Sequence, residues 1–197
     1  MANNKKIIDL KIPLPQTKEL PEALQKYFSV CEDKIGFIPN VLKAFSHESS
    51  QLEFFSKMYN AIMFAETGLT PLEREMIAVV VSSKNHCFYC LTAHGQAVRE
   101  YSKDPVLGEQ LAMNHKSVEL SSKHTKMLEF AEKLTLNPAD ISGNDRVTLR
   151  DAGFSEKEIW DISLVASFFN MTNRLSSATD MQPNSEYHFK DRKEPDT

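Results

Sequence analysis

The chain is poor in glycine, cysteine and tryptophan, with 6, 3 and 1 of them among 197 residues. Glycine below the usual ~7% fits a chain that needs few special turns. Three cysteines cannot make a disulfide framework. The longest apolar run is Met76–Val81, far short of the ~20 residues that span a bilayer. No membrane segment is expected. Positive charge is in deficit, with 23 Lys and Arg against 27 Asp and Glu, a net of −4. No basic field is present to hold a phosphate backbone, so nucleic acid is excluded as a partner class. Alternating apolar runs around Asn-Gly or Asp-Gly, the hairpin signal, are missing. Near the N-terminus Ile7, Ile8 and Leu10 are broken by Asp9 and Lys11, which is not the apolar core of a secretory signal. A cytoplasmic, all-α protein is the expectation.

Hydrophobic residues at 41% and charged residues at 25% suffice for one packed domain. Residues 1–20, with Pro13 and Pro15, read as an extended arm, residues 21–182 as a single helical domain, and residues 183–197 as a loose polar tail. Leu24, Tyr27, Phe28 and Cys31 make the first helical stripe, which puts Cys31 in the core as a small hydrophobe. Gly36 and Pro39 break the chain before Val41, Leu42 and Phe45. Leu52, Phe55, Tyr59, Ile62 and Met63 continue as a helix that Gly68 is expected to end. Val106, Leu107 and Leu111 mark a short helix, and Met127, Phe130, Ala131 and Leu134 a longer one stopped by Pro138.

Thr70-Pro71-Leu72-Glu73 is a capping box with proline at the first helical position. It opens a helix through Met76–Val81 that is apolar nearly all round and therefore buried. Ser155–Glu158 is a second capping box before Ile159, Ile162 and Val165. A shift of 85 residues lays Thr70 on Ser155, Glu73 on Glu158, Val80 on Val165 and Asn85 on Asn170. This is a weak internal duplication of one capped apolar helix unit. Thr172 and Leu175 stand in the second copy where the first has Cys87 and Cys90, so only the first half can do thiol chemistry.

Asn85 and Cys87-Phe-Tyr-Cys90 restart a helix that runs to about Tyr101. On it Cys87, Cys90 and His94 fall within a ~60° arc. A helix N-terminus favours thiolate over thiol, and a histidine one turn on can relay its proton. Two sulfurs at this spacing can close a disulfide within one turn. The same three side chains with a carboxylate could hold Zn²⁺, but structural zinc sites usually add a second ligand pair, and none is present. His86 reads as a surface or capping residue and Tyr89 as a packing residue. Glu73 is occupied by its capping box. Glu75 is either an exposed first-turn acid or, if its face turns to the dithiol helix, a buried base.

The run from Thr70 to Glu75, the apolar stretch, and Asn85-His-Cys-Phe-Tyr-Cys-Leu-Thr-Ala-His94-Gly95 resembles the alkylhydroperoxidase D core of the carboxymuconolactone decarboxylase superfamily. Gly36-Phe-Ile-Pro-Asn40 and Ala166–Arg174 are similar to its peroxidase-related branch. The resemblance implies an all-α, oligomeric antioxidant protein that needs no metal, flavin or other cofactor. It makes Cys90 the peroxidatic sulfur and Cys87 the resolving one, with Glu75 and His94 as the proton relay. The residues alone leave the order of the sulfurs open, since thioredoxin-like motifs activate the first cysteine. Tyr89 stands where alkylhydroperoxidase D has a histidine. A hydroperoxide substrate and an external dithiol of lipoyl or thioredoxin type are the expected partners. A trimer or hexamer follows from the resemblance, and 12 phenylalanines already call for a shared core. A dithiol redox sensor and a decarboxylase-like lyase are the alternatives.

Overall fold

The computed structural model describes residues 6–192, and among them no strand occurs. Nine α-helices follow in order: α1 Glu22–Ile35, α2 Asn40–Phe45, α3 Ser49–Met63, α4 Pro71–Lys84, α5 Phe88–Ser102, α6 Leu107–Asn114, α7 Ser122–Leu136, α8 Gly143–Asp151 and α9 Glu156–Ala178. The all-α expectation holds. α8 has no counterpart in the sequence reading, because only Leu149 on it is buried and its apolar stripe is faint. α3 stops at Met63, before Gly68, because Phe64 takes a C-cap conformation there.

α4 is the axis of the fold. Glu73 through Ser82 are buried without interruption, and α5, α6, α7 and α9 all pack around it. A helix with no exposed face cannot rely on an amphipathic stripe for its ends, so its capping box matters. Thr70 N–H donates to Glu73 Oε2 at 2.7 Å, and Glu73 N–H donates to Thr70 Oγ1 at 3.2 Å. α9 opens with the same reciprocal pair between Ser155 and Glu158. The two matched asparagines meet across the helices, Asn85 Nδ2 donating to Asn170 Oδ1 at 3.0 Å.

The two units then diverge. α9 runs on for 23 residues, whereas the first unit breaks after α4. His86 adopts φ +53° at the position glycine usually holds in a Schellman ending. His86 N–H donates to Ser83 O, and Cys87 N–H donates to Ser82 O at 3.0 Å. The chain thus closes α4 and starts α5 within three residues.

Two apolar clusters result. The larger surrounds α4 and takes in Cys31 as expected. The smaller joins Ile8, Phe37, Ala44, Met181 and Tyr187 to Cys87, Tyr89 and Cys90. It corrects the expectation of a loose tail. Asn40 N–H donates to Asn184 Oδ1 at 2.7 Å, and Asn184 Nδ2 donates to Ile38 O at 3.1 Å. Arg99 donates to Tyr187 O, and Lys190 Nζ to Ile35 O. These bonds strap residues 181–190 across α1, α2 and α5; residues 193–197 lie outside the described residues. The arm is tied down too, with Asp9 N–H donating to Thr179 O and Gln182 N–H to Ile7 O. A short 3₁₀ turn, Thr17–Glu19, interrupts its extended course; residues 1–5 lie outside the described residues.

α5 and α6 cross at a pair of glycines. A Cβ added at Gly108 would lie 2.6 Å from Gly95 O, a backbone atom that cannot swing aside. Gly108→Ala is therefore expected to cost ~1–3 kcal/mol through overpacking, read as a lower denaturant midpoint at unchanged slope. Gly143→Ala, with nothing within 4 Å of the added methyl, serves as the control.

Candidate active site

Cys87 sits where the break leaves it, at the N-cap of α5 with extended backbone (φ −82°, ψ 99°). It precedes the helix, so the dithiol spans the N-cap and N3 positions. Cys90 N–H donates to Cys87 Sγ at 3.4 Å, and the sulfur thus does what a serine or aspartate oxygen does at an ordinary N-cap. Both cysteines are free, and hydrogen bonding between their side chains sets their acidity. This hydrogen bond lowers the Cys87 thiol to about 7; burial opposes it, and Cys90 N–H adds to it. Cys90 shows the converse. Donation to Cys87 holds its own proton in place and pushes it well above the usual thiol range, with burial adding. The hydrogen bond thus favours ionisation at Cys87 over Cys90.

Glu75 is buried, 4% exposed, which settles the choice left open by the sequence. Its side chain leaves α4 toward α5, and Glu75 Oε2 lies 2.7 Å from His94 Nδ1. The first-turn exposed reading is overturned because α4 has no exposed face there. Phe169 of α9 meets the His94 ring edge to face at 4.5 Å, fixing its plane. With Nδ1 committed to Glu75, Nε2 is the ring nitrogen left for proton transfer. Among the described residues no three of His, Cys, Asp and Glu converge on a point that could hold a metal ion. His94 turns to Glu75 instead of completing a set with the two sulfurs.

His86 is exposed at the break, as read from the sequence. Tyr89 packs: it is 4% exposed, and its hydroxyl accepts Val41 N–H at 3.0 Å. That bond ties the dithiol helix to α2. Two residues that the sequence reading passed over also reach the dithiol, Ser176 with Oγ 4.0 Å from Cys90 Sγ, and Asn173 beside it. Asn173 lies in the Ala166–Arg174 stretch whose family resemblance the sequence carries, whereas a serine on an apolar helix was the only signal for Ser176. Both sulfurs are nearly sealed, at 2% and 3% exposure. An open hollow of about 280 Å³ lies beside Phe88, the first residue of α5, between it and Gln182, Pro183, Ser185 and His188. Among the described residues no helix is long and apolar enough to cross a membrane.

A buried carboxylate–imidazole pair next to a dithiol at an all-helical break defines a protein class, and comparison with known proteins gives the same one. The sequence profile of the Carboxymuconolactone decarboxylase family matches residues 52–128. An uncharacterised peroxidase-related protein from Silicibacter sp. TM1040 superposes with a TM-score of 0.92 at 50% identity, over 98% of this chain and 100% of that one. A second uncharacterised peroxidase-related protein, an alkylhydroperoxidase AhpD core from Ralstonia eutropha JMP134, has a TM-score of 0.92 at 33% identity, over 96% and 99%. The debrominase Bmp8, crystallised with 2,3,4-tribromopyrrole, shares the fold at 18% identity and a TM-score of 0.75, over 92% and 96%. No curated protein matches the chain. The chain belongs to the AhpD-like and carboxymuconolactone decarboxylase superfamily.

The N-cap geometry makes a direct prediction. Thiolate absorbance of the reduced protein should rise with a midpoint near pH 7. Cys87→Ser, which keeps a capping oxygen, should abolish that step, whereas Cys31→Ser should leave it intact.

Proposed function

We propose that the chain is a thiol-dependent peroxidase that reduces hydroperoxides by cycling Cys87 and Cys90 between dithiol and disulfide. The observation that carries this reading is the Cys87–Cys90 dithiol at an internal helix N-terminus, with the Glu75–His94 pair on the adjoining helices. The family and the peroxidase-related relatives support it.

The resting thiolate on Cys87 is the base for Cys90. It takes the Cys90 proton, and the Cys90 thiolate attacks the terminal oxygen of the hydroperoxide. The O–O bond breaks, Cys90 becomes a sulfenic acid, and the leaving alkoxide takes a proton from His94 by way of a bridging water. Glu75 holds the imidazolium that supplies it. The Cys87 sulfur then attacks the sulfenic sulfur; water leaves and the disulfide forms. An external dithiol of lipoyl or thioredoxin type returns two electrons and two protons, and is itself oxidised. No metal or flavin enters this cycle. The reading includes a homo-oligomer, trimer or hexamer, working in a reducing cytoplasm.

A second reading reverses the sulfurs, because the N-cap itself favours Cys87 as the first thiolate. Intact mass after one equivalent of peroxide separates the two. The wild type should lose two hydrogens as the disulfide closes, and Cys87→Ser should stop as a sulfenic acid on Cys90. A sulfenic acid appearing only in Cys90→Ser, on Cys87, would exchange the roles. No thiol loss under excess peroxide would overturn the peroxidase reading. Glu75→Gln should slow peroxide consumption ~100-fold while the disulfide can still be formed by a chemical oxidant.

A further inference from the structure

The first sulfur owns a donor of its own, the backbone N–H of Cys90. Cys90 is the third residue of α5, and across from it α9 presents Ser176 and Asn173, one turn apart. Ser176 is buried, and its hydroxyl behaves unlike the others on that helix. Helical serine and threonine hydroxyls ordinarily bond back to the carbonyl one turn earlier. Ser163 does so with Ile159 O at 2.8 Å, and Thr179 with Leu175 O at 2.9 Å. The Ser176 hydroxyl has sulfur neighbours instead, Cys90 Sγ at 4.0 Å and Met181 Sδ at 3.9 Å.

Asn173 is fully buried and its amide is held in one orientation. Its Oδ1 accepts Asn85 Nδ2–H at 3.0 Å, and its Nδ2 donates one hydrogen to Ser82 Oγ at 3.0 Å. That leaves its second amide hydrogen free of this network, one turn from Ser176 on the same helix. The clamp on Asn173 comes from the residues at the α4–α5 break, the place that also positions Cys87.

We propose that Ser176 and Asn173 form a two-donor cradle for the Cys90 thiolate, stabilising the charge at the moment the proton passes to Cys87. Cys87 has the backbone N–H of Cys90, and the α9 side chains supply donors where Cys90 has no backbone N–H of its own to use. Hydrogen bonds to a charged acceptor in a dry site are worth more than those to a neutral one. The cradle therefore favours the thiolate over the thiol, and it allows a sulfur at N3 to ionise without the capping bond. The inference deepens the peroxidase reading and rests on Cys90 as the attacking sulfur, yet its test needs no peroxide.

The test is a pH titration of thiolate absorbance in the Cys87→Ser background, with Cys87→Ser/Cys90→Ser subtracted so that only Cys90 is seen. Adding Ser176→Ala should move the Cys90 midpoint up by about one unit, a tenfold smaller thiolate fraction below the midpoint. Ser176→Thr, which restores a hydroxyl, should return it. An unchanged midpoint in Ser176→Ala overturns the proposal. So does a shift that Ser176→Thr fails to reverse, which would mark a packing role. Asn173→Ala should add a further upward shift; if that variant does not fold, the Ser176 pair decides alone. Failure of peroxide turnover with an intact midpoint shift would count against the peroxidase reading and leave the cradle standing.

Discussion

The chain reversal at Asn85–Cys87 is the constraint on which the site depends. A helix that continued past Lys84, as α9 continues past the matching position, would bury its backbone N–H groups in its own ladder. The left-handed His86 interrupts that ladder and exposes a fresh set of N–H donors inside an apolar cluster. Unpaired donors in such a place are costly. A sulfur at the N-cap satisfies one of them, and its thiolate form is stabilised in return. The chemistry of the dithiol and the stability of the fold are met by the same hydrogen bond.

The asparagine network around the break explains why it stays there. Asn85 reaches both Asn170 and Asn173 on α9, and Asn173 reaches back to Ser82 on α4. A fully satisfied buried network is rigid, and a half-satisfied one is costly. The end of α4 and the break that follows it are thereby fixed against α9. The terminal strap acts from the other side. Met181 and Tyr187 complete the cluster around the sulfurs, and Asn40, Lys190 and Arg99 tie the strap to α1, α2 and α5. Gly36-Phe-Ile-Pro-Asn40 has a physical meaning in this frame. Gly36 turns left-handed at φ +88° to end α1, Phe37 packs edge to face on Tyr187, and Asn40 holds the tail.

Burial separates the acids by role. Glu73 and Glu75 lie two apart on the same helix, and both are buried. Glu73 is absorbed by the start of α4, whereas Glu75 leaves it to meet an imidazole on α5. Neither burial would be tolerated without a partner.

Much of this was legible in the residues. The two capping boxes, the all-apolar α4 and the likeness between Asn85 and Asn170 are local patterns, and local hydrogen bonding decides them. The dithiol with its histidine one turn on is also local, since one helical turn brings those side chains near each other. Other features depended on distant parts of the chain. Whether Glu75 faced solvent or His94 turned on how α5 packs against α4. The polar tail could not be read as packed, because its anchors are backbone carbonyls of Ile35, Ile38 and Tyr187, which no side-chain pattern announces. Ser176 and Asn173 looked like ordinary polar residues on an apolar helix until α9 was seen to cross over Cys90. The sequence by itself determined the helices, their caps and the reactive side chains, because each is settled within a few residues of chain. Only the tertiary structure decided what surrounds the two sulfurs, because that depends on groups up to 86 residues apart brought into contact by burial.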